Sequence, residues 1–159
     1  MDIRIDTDTS KFKVRACGII ENEGKYLIIR MSHNPFFCCA GGHIEMGEDS
    51  ESAVVREMEE ESGIKTTVKK PLAIMENFYK GIKGEDFHEI SFYYLLNPVN
   101  LGDKAKDFNI TENDHGYIFD HEFRWVTPEE LKEISFKPEP IKQMLINGDE
   151  NFKLIINKD

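Results

Sequence analysis

The chain has 159 residues, 40% of them hydrophobic and 31% charged, a size at which one apolar core still grows and a second full domain is not expected. Its 30 acidic against 20 basic side chains leave a net charge of -10, which repels a polyphosphate backbone unless something positive intervenes and argues against a dedicated nucleic-acid binder. No run nears the roughly 18 apolar residues that cross a bilayer, and residues 1–10 are too acidic and polar for a signal peptide, so the expectation is a soluble, cytoplasmic chain with no membrane partner. Cys17, Cys38 and Cys39 lack disulfide or zinc spacing and read as reduced, structural residues.

No internal period and no Pro-rich or Gly/Ser-rich run divides the sequence, so residues 1–159 read as one domain. Val14–Ile20 and Lys25–Met31 are β-prone runs joined through Glu21-Asn22-Glu23-Gly24, a hairpin signal. Phe36–Cys39 reads as a short buried strand ended by Gly41-Gly42. A helix follows, capped by Asp49 or Ser50, with Ala53, Val54 and Met58 on its apolar side and Gly63 as its stop. Ile64–Val68 and Leu72–Tyr79 read as two extended segments interrupted by Lys69-Lys70-Pro71, and Phe87–Leu96 as a further strand. Residues 97–122 are polar and read as a long surface loop, Phe123–Val126 as a last core strand, and Thr127-Pro128 and Glu139–Ile146 as short helices. Strands on both sides of a helix, with more helix at the end, predict a mixed α/β domain.

The chemistry concentrates between Gly42 and Ile64. On a helix, Glu57, Glu60 and Glu61 stand at i, i+3 and i+4 and project from one face. Like charges at that spacing repel by a few tenths of a kcal/mol each, and near a helix C-terminus the macrodipole disfavours them further. A cation relieves both effects; clustered carboxylates suit hard divalent ions, and Mg²⁺ is commonly held by a few carboxylates, waters and substrate phosphates. Arg56 could pair with Glu48 or hold a ligand carboxylate in place. Acidic helix faces are also commonly just solvated, and the charge pattern alone leaves that reading open.

The full spacing narrows the choice. Gly42, five residues, Glu48, seven residues, then Arg56-Glu57-Met58-Glu59-Glu60-Glu61-Ser62-Gly63-Ile64 resembles the signature of the MutT-like Nudix hydrolases at every position. With seven fixed identities, a chance match at a given start is on the order of one in a hundred million. The resemblance implies an α/β/α sandwich around a mixed sheet and a hydrolase that cleaves a nucleoside diphosphate linked to another moiety by water attack on phosphorus. The cofactor implied is Mg²⁺ or Mn²⁺. It places Glu57, Glu60, Arg56 and Glu48 in the catalytic set. Glu57, Glu60, Glu61 and the Gly41 carbonyl form the metal set, with Arg56 orienting the glutamates and Glu48 supporting Arg56. One departure stands before Gly41, where Cys38-Cys39-Ala40 replaces the usual apolar residue and Pro and leaves the loop geometry open.

Outside that segment, Trp125 reads as a core aromatic, and alternation places Phe92 and Tyr94 on one sheet face and Tyr93 on the other. Glu89 is a candidate extra ligand. Asp120 and Glu122, just before the Trp125 strand, are candidates for a ligand, a base or a specificity contact. Tyr79 lies roughly where dinucleoside polyphosphate-cleaving relatives carry a tyrosine. The partner implied is a small nucleotide derivative, and a homodimer paired through the sheet or the opening strand is common among such proteins. A regulatory domain that binds a nucleotide without cleaving it is the alternative, for which degraded glutamates would be the sign. That sign is absent.

Overall fold

In the computed structural model, which describes residues 1–32 and 34–158, the chain opens with a short strand, β1 (Arg4–Asp6), paired to β2 (Ser10–Asn22). β2 and β3 (Lys25–Arg30) form the expected hairpin, with both turn residues, Glu23 (φ 51°) and Gly24 (φ 76°), in the left-handed region that a two-residue turn between twisted strands requires. The other strands are β4 (Ala40–His43), β5 (Thr66–Lys80), β6 (Asp86–Pro98), β7 (Phe108–Asp114), β8 (Tyr117–Val126) and β9 (Lys153–Lys158). They order as β7-β8-β3-β2-β6-β5-β9, a mixed sheet in which β2/β6 and β5/β9 are parallel.

β2 organises this sheet. One of its edges pairs with β6, and along the other β1, β4 and β3 follow one another, β4 at Arg15–Gly18 and β3 at Glu21–Asn22. β4 and β3 thus diverge from the same edge, and the split between them is where the candidate site forms.

Alternation along the strands feeds two cores. Ala16, Ile20, Tyr94 and Leu96 bury with Ala53, Val54 and Met58 of helix α1 (Ser50–Ser62) on one face. Cys17, Ile19, Tyr93 and Leu95 bury with Leu131 of α2 (Pro128–Leu131) and Ile141, Met144 and Leu145 of α3 (Glu139–Asn147) on the other. The sheet is therefore covered by helices on both faces, the expected α/β/α arrangement. No helix among the described residues is long and apolar enough to cross a membrane.

Helix α1 begins as its sequence dictates. The Asp49 side chain accepts from the Ser52 amide and hydroxyl at 2.8 and 2.9 Å, and Gly63 (φ 74°) closes the other end with its N–H on the Glu59 carbonyl. Its last turn carries no basic residue, yet Lys104, from the 3₁₀ turn Gly102–Ala105, donates to the Ser62 carbonyl at 2.6 Å and supplies the missing charge from outside the helix. Lys104→Met is accordingly expected to destabilise the protein by about 1 kcal/mol, read as a lowered urea midpoint with an unchanged slope. An unchanged midpoint would show that the bond contributes nothing.

Four expectations need correction. Phe36–Cys39 is no strand: Phe37 and Cys38 form single bridges to Phe136 and Ile29, and the strand is Ala40–His43, which runs through the two glycines. The glycines serve close approach, since a Cβ on Gly41 would lie 2.3 Å from the Ala16 carbonyl and one on Gly42 2.4 Å from the Glu57 carboxylate. The two segments around Lys69-Lys70-Pro71 are one strand, β5, whose bulges at Val68/Lys70 and Pro71/Ala73 absorb the proline. Residues 97–122 are not a loop but the 3₁₀ turn and the β7–β8 hairpin, turning at His115 (φ 50°) and Gly116 (φ 87°). Its outer half is exposed on both faces, so hydrophobic alternation, the signal for a strand, is missing there. The chain closes on β9 rather than on a helix, an edge strand whose Leu154 and Ile156 are 74% and 63% exposed.

Candidate active site

Arg56 is the centre of the acidic helix face. Its guanidinium donates twice to Glu48, at 2.7 and 2.8 Å, once to Glu57 at 2.8 Å, once to Glu60 at 3.2 Å and once to the His43 carbonyl at 3.1 Å. These bonds tie the helix to the loop before it and to β4. They also hold the Glu48 carboxyl below the usual carboxylate range, first by hydrogen bonding.

Glu57 lies under Gly42, in space that any side chain there would fill, and burial pushes its carboxyl up against the lowering effect of Arg56. Glu61 reaches the free edge of β4, where its Oε2 accepts the Gly41 N–H at 3.3 Å. Burial first, and the charge of Glu57 second, push its carboxyl up to about 7. Glu57 and Glu60 thus share Arg56, while Glu61 turns to the backbone. Among the described residues no three acids or histidines converge as a ready metal cage.

The donor set nevertheless fits a hard divalent cation. Two carboxylates raised first by burial, Glu57 further by Glu60 and Glu61 further by Glu57, would both be relieved by a cation, and carboxylate and carbonyl oxygens are the ligands such ions take. Glu57, Glu60, Glu61 and the Gly41 carbonyl are the atoms that would hold it.

The opposite sheet face carries the other candidates. Glu89 is 5% exposed and accepts from the hydroxyl of the half-buried Tyr79 at 2.8 Å, so the two form one pair across β5 and β6. Asp120 accepts from Thr111 Oγ1 at 2.7 Å, and Glu122 pairs with Arg30 at 2.6 Å and Arg124 at 3.0 Å. Both acids are engaged locally. The hairpin acid whose charge helps raise Glu61 is Glu112, beside the buried His121 at 3.4 Å; Glu112 was not marked by the sequence, because the β7–β8 pairing that places it was not legible. Arg15 was also missed. It donates to the Gly41 carbonyl at 3.4 Å, and its signal was a charge inside the apolar run Val14–Ile20.

Trp125 is a core residue, 7% exposed, its indole N–H on the Lys104 carbonyl at 2.8 Å. The cysteines are free, and burial pushes Cys17 up to about 11, Cys38 up to about 12 and Cys39 well above its ordinary value, so all three are poor nucleophiles.

Comparison with known proteins agrees with this geometry. A family model described as NUDIX domain matches residues 11–145. The ADP-ribose pyrophosphatase of Methanocaldococcus jannaschii is 38% identical over 66% of this chain, and the chain spans 66% of that relative, just under two thirds of its length. The nucleoside triphosphatase NudI of Escherichia fergusonii is 27% identical over 83% of this chain and 94% of its own. Among solved structures, a NUDIX hydrolase from Nitrosomonas europaea superposes with a TM-score of 0.64 over 97% of this chain and 82% of that one, at 16% identity, a likeness of fold.

Proposed function

Because the chain belongs to the NUDIX domain family, we propose that it is a divalent-metal-dependent pyrophosphohydrolase, cleaving a nucleoside diphosphate linked to another moiety by attack of water on phosphorus. The observation that carries this reading is the Arg56 clamp, which orients three glutamates beside an edge strand made thin by glycine. When bound at Glu57, Glu60, Glu61 and the Gly41 carbonyl, Mg²⁺ or Mn²⁺ would supply the positive charge that an acidic site needs to accept a diphosphate and activate a water at neutral pH. Arg56 fixes Glu57 and Glu60 through one guanidinium, and Glu48 fixes Arg56, so the ligands are placed before substrate arrives. Glu61 is the carboxylate that most needs a cation to ionise, since burial and the charge of Glu57 both push its carboxyl up.

The Methanocaldococcus relative makes ADP-ribose the first substrate to try, and the NudI relative makes nucleoside triphosphates the second. Nucleotide sugars and dinucleoside polyphosphates complete the set. The purified protein with Mg²⁺ is expected to convert ADP-ribose to AMP and ribose 5-phosphate, and excess chelator to abolish the reaction. Undiminished turnover in chelator would sink the metal requirement; no turnover of any of these compounds with Mg²⁺ or Mn²⁺ would leave a non-catalytic nucleotide-binding domain.

A further inference from the structure

Of the five arginines in the chain, four have carboxylate partners: Arg4 pairs with Asp6, Arg30 and Arg124 with Glu122, and Arg56 with Glu48, Glu57 and Glu60. Arg15 has none within 4.0 Å among the described residues, and its one hydrogen bond there is the long contact of 3.4 Å from Nη2 to the Gly41 carbonyl. A guanidinium carries five N–H donors in a rigid fork, so most of Arg15 is unspent. The carboxylate whose charge acts on Arg15 is that of Glu89, buried on β6.

The position of this cation is as informative as its lack of a partner. Gly41 is bonded on its carbonyl to Arg15 and on its N–H to Glu61, so the two side chains meet at one residue of the β4 edge. Arg15 lies on the face of β2 opposite α1, since the alternation places Ala16 with α1 and Cys17 with α2 and α3. Two residues back on that face, Lys13 also has no carboxylate within 4.0 Å among the described residues, and its Nζ stands 4.9 Å from the centre of the Phe87 ring. Phe87 in turn stacks on Tyr79 at 4.7 Å. On a protein of net charge -10, two cations set around the one buried carboxylate of Glu89, with Lys13 lying against an aromatic ring, leave an excess of positive charge suited to an anionic, ring-bearing ligand.

We propose that Arg15 is a specificity-determining residue that receives the substrate diphosphate, turning its free fork to phosphate oxygens from the sheet face opposite the box helix, with Lys13 adding a second charge beyond it. This rests on the pyrophosphohydrolase reading and deepens it. The four glutamates of that reading recognise no substrate by themselves, because each is an anion facing an anion. Arg15 is the cation that makes the cleft selective for a phosphoanhydride over a neutral or singly charged group.

The test measures ADP binding by calorimetry at saturating Mg²⁺, with AMP as the single-phosphate comparison, beside kcat and KM for ADP-ribose. Arg15→Gln is expected to weaken ADP about tenfold or more and AMP less, and to raise KM more than it lowers kcat. Arg15→Lys, which keeps the charge and loses the fork, is expected to fall between, and Lys13→Gln to weaken ADP by only a few fold. Wild-type ADP affinity and KM in Arg15→Gln would overturn the proposal. So would weakened Mg²⁺ affinity with unchanged ADP affinity, because Arg15 would then merely prop the Gly41 carbonyl. If Arg15→Gln fails to fold, Arg15→Lys decides, and wild-type ADP affinity in it overturns the proposal. A wild-type protein that hydrolyses none of the compounds overturns the hydrolase reading alone, since the ADP titration still judges Arg15.

Discussion

Glu57→Gln is expected to lower turnover by about a hundredfold or more while changing the unfolding free energy by less than about 1 kcal/mol. The substitution keeps the shape that fills the space under Gly42 and keeps an acceptor for the Arg56 bond of 2.8 Å, so packing and orientation survive. What it removes is one negative charge from the group that would hold the cation. The stability side is small because Arg56 retains both bonds to Glu48, and because burial already holds the Glu57 carboxyl above its ordinary value, which makes its ionised form costly. Turnover with Mg²⁺ and a urea titration, measured on the same preparation, separate the two effects. Retention of more than half the wild-type rate would remove Glu57 from the proposed machinery, and a loss of several kcal/mol would recast it as a structural residue.

The second large effect concerns pH and belongs to Glu61. Its carboxyl is pushed up to about 7 in the folded chain, first by burial and then by Glu57, against an unfolded value of 4.5. A raised acid binds its proton more tightly folded than unfolded. The stability this brings is fully present below the unfolded value and is lost as pH rises through the folded one, here between about 4.5 and 7. The difference corresponds to a loss of at most about 3 kcal/mol. Glu57, also raised, acts in the same direction, whereas Glu48 and Asp49 are lowered and cost stability only in more acid solution. Urea unfolding in chelator is therefore expected to show a fall in stability from pH 5 to pH 8. Glu61→Gln should flatten most of that fall and leave the metal-free variant the more stable protein at pH 8. Added Mg²⁺ should recover stability in the wild type at pH 8 and less of it in the variant. A wild-type curve level between pH 5 and pH 8 would contradict the raised carboxyl.

Local sequence determined the elements whose signals are themselves local. Asp49 and Gly63 bound helix α1 because a cap needs only the residues beside it, and the first hairpin follows from apolar runs around one turn. The acidic face of α1 and the Arg56–Glu48 pair were legible for the same reason, since helical spacing alone puts those side chains together. Tertiary structure decided everything that depends on which strand lies beside which. Gly41 and Gly42 look like a turn in sequence and are the thin edge strand against which Glu57 and Glu61 rest, because only β2 pairing reveals how closely the chains approach. The β7–β8 hairpin is exposed on both faces in its outer half, so no periodicity announced it, and with it stayed hidden the place of Glu112 and His121. Arg15 shows the division most clearly. The sequence marks it as one charge among apolar neighbours, and only the packed sheet sets it beside the carbonyl of Gly41 with no carboxylate within 4.0 Å among the described residues, because the distance to a partner is a property of the whole neighbourhood and never of the residue.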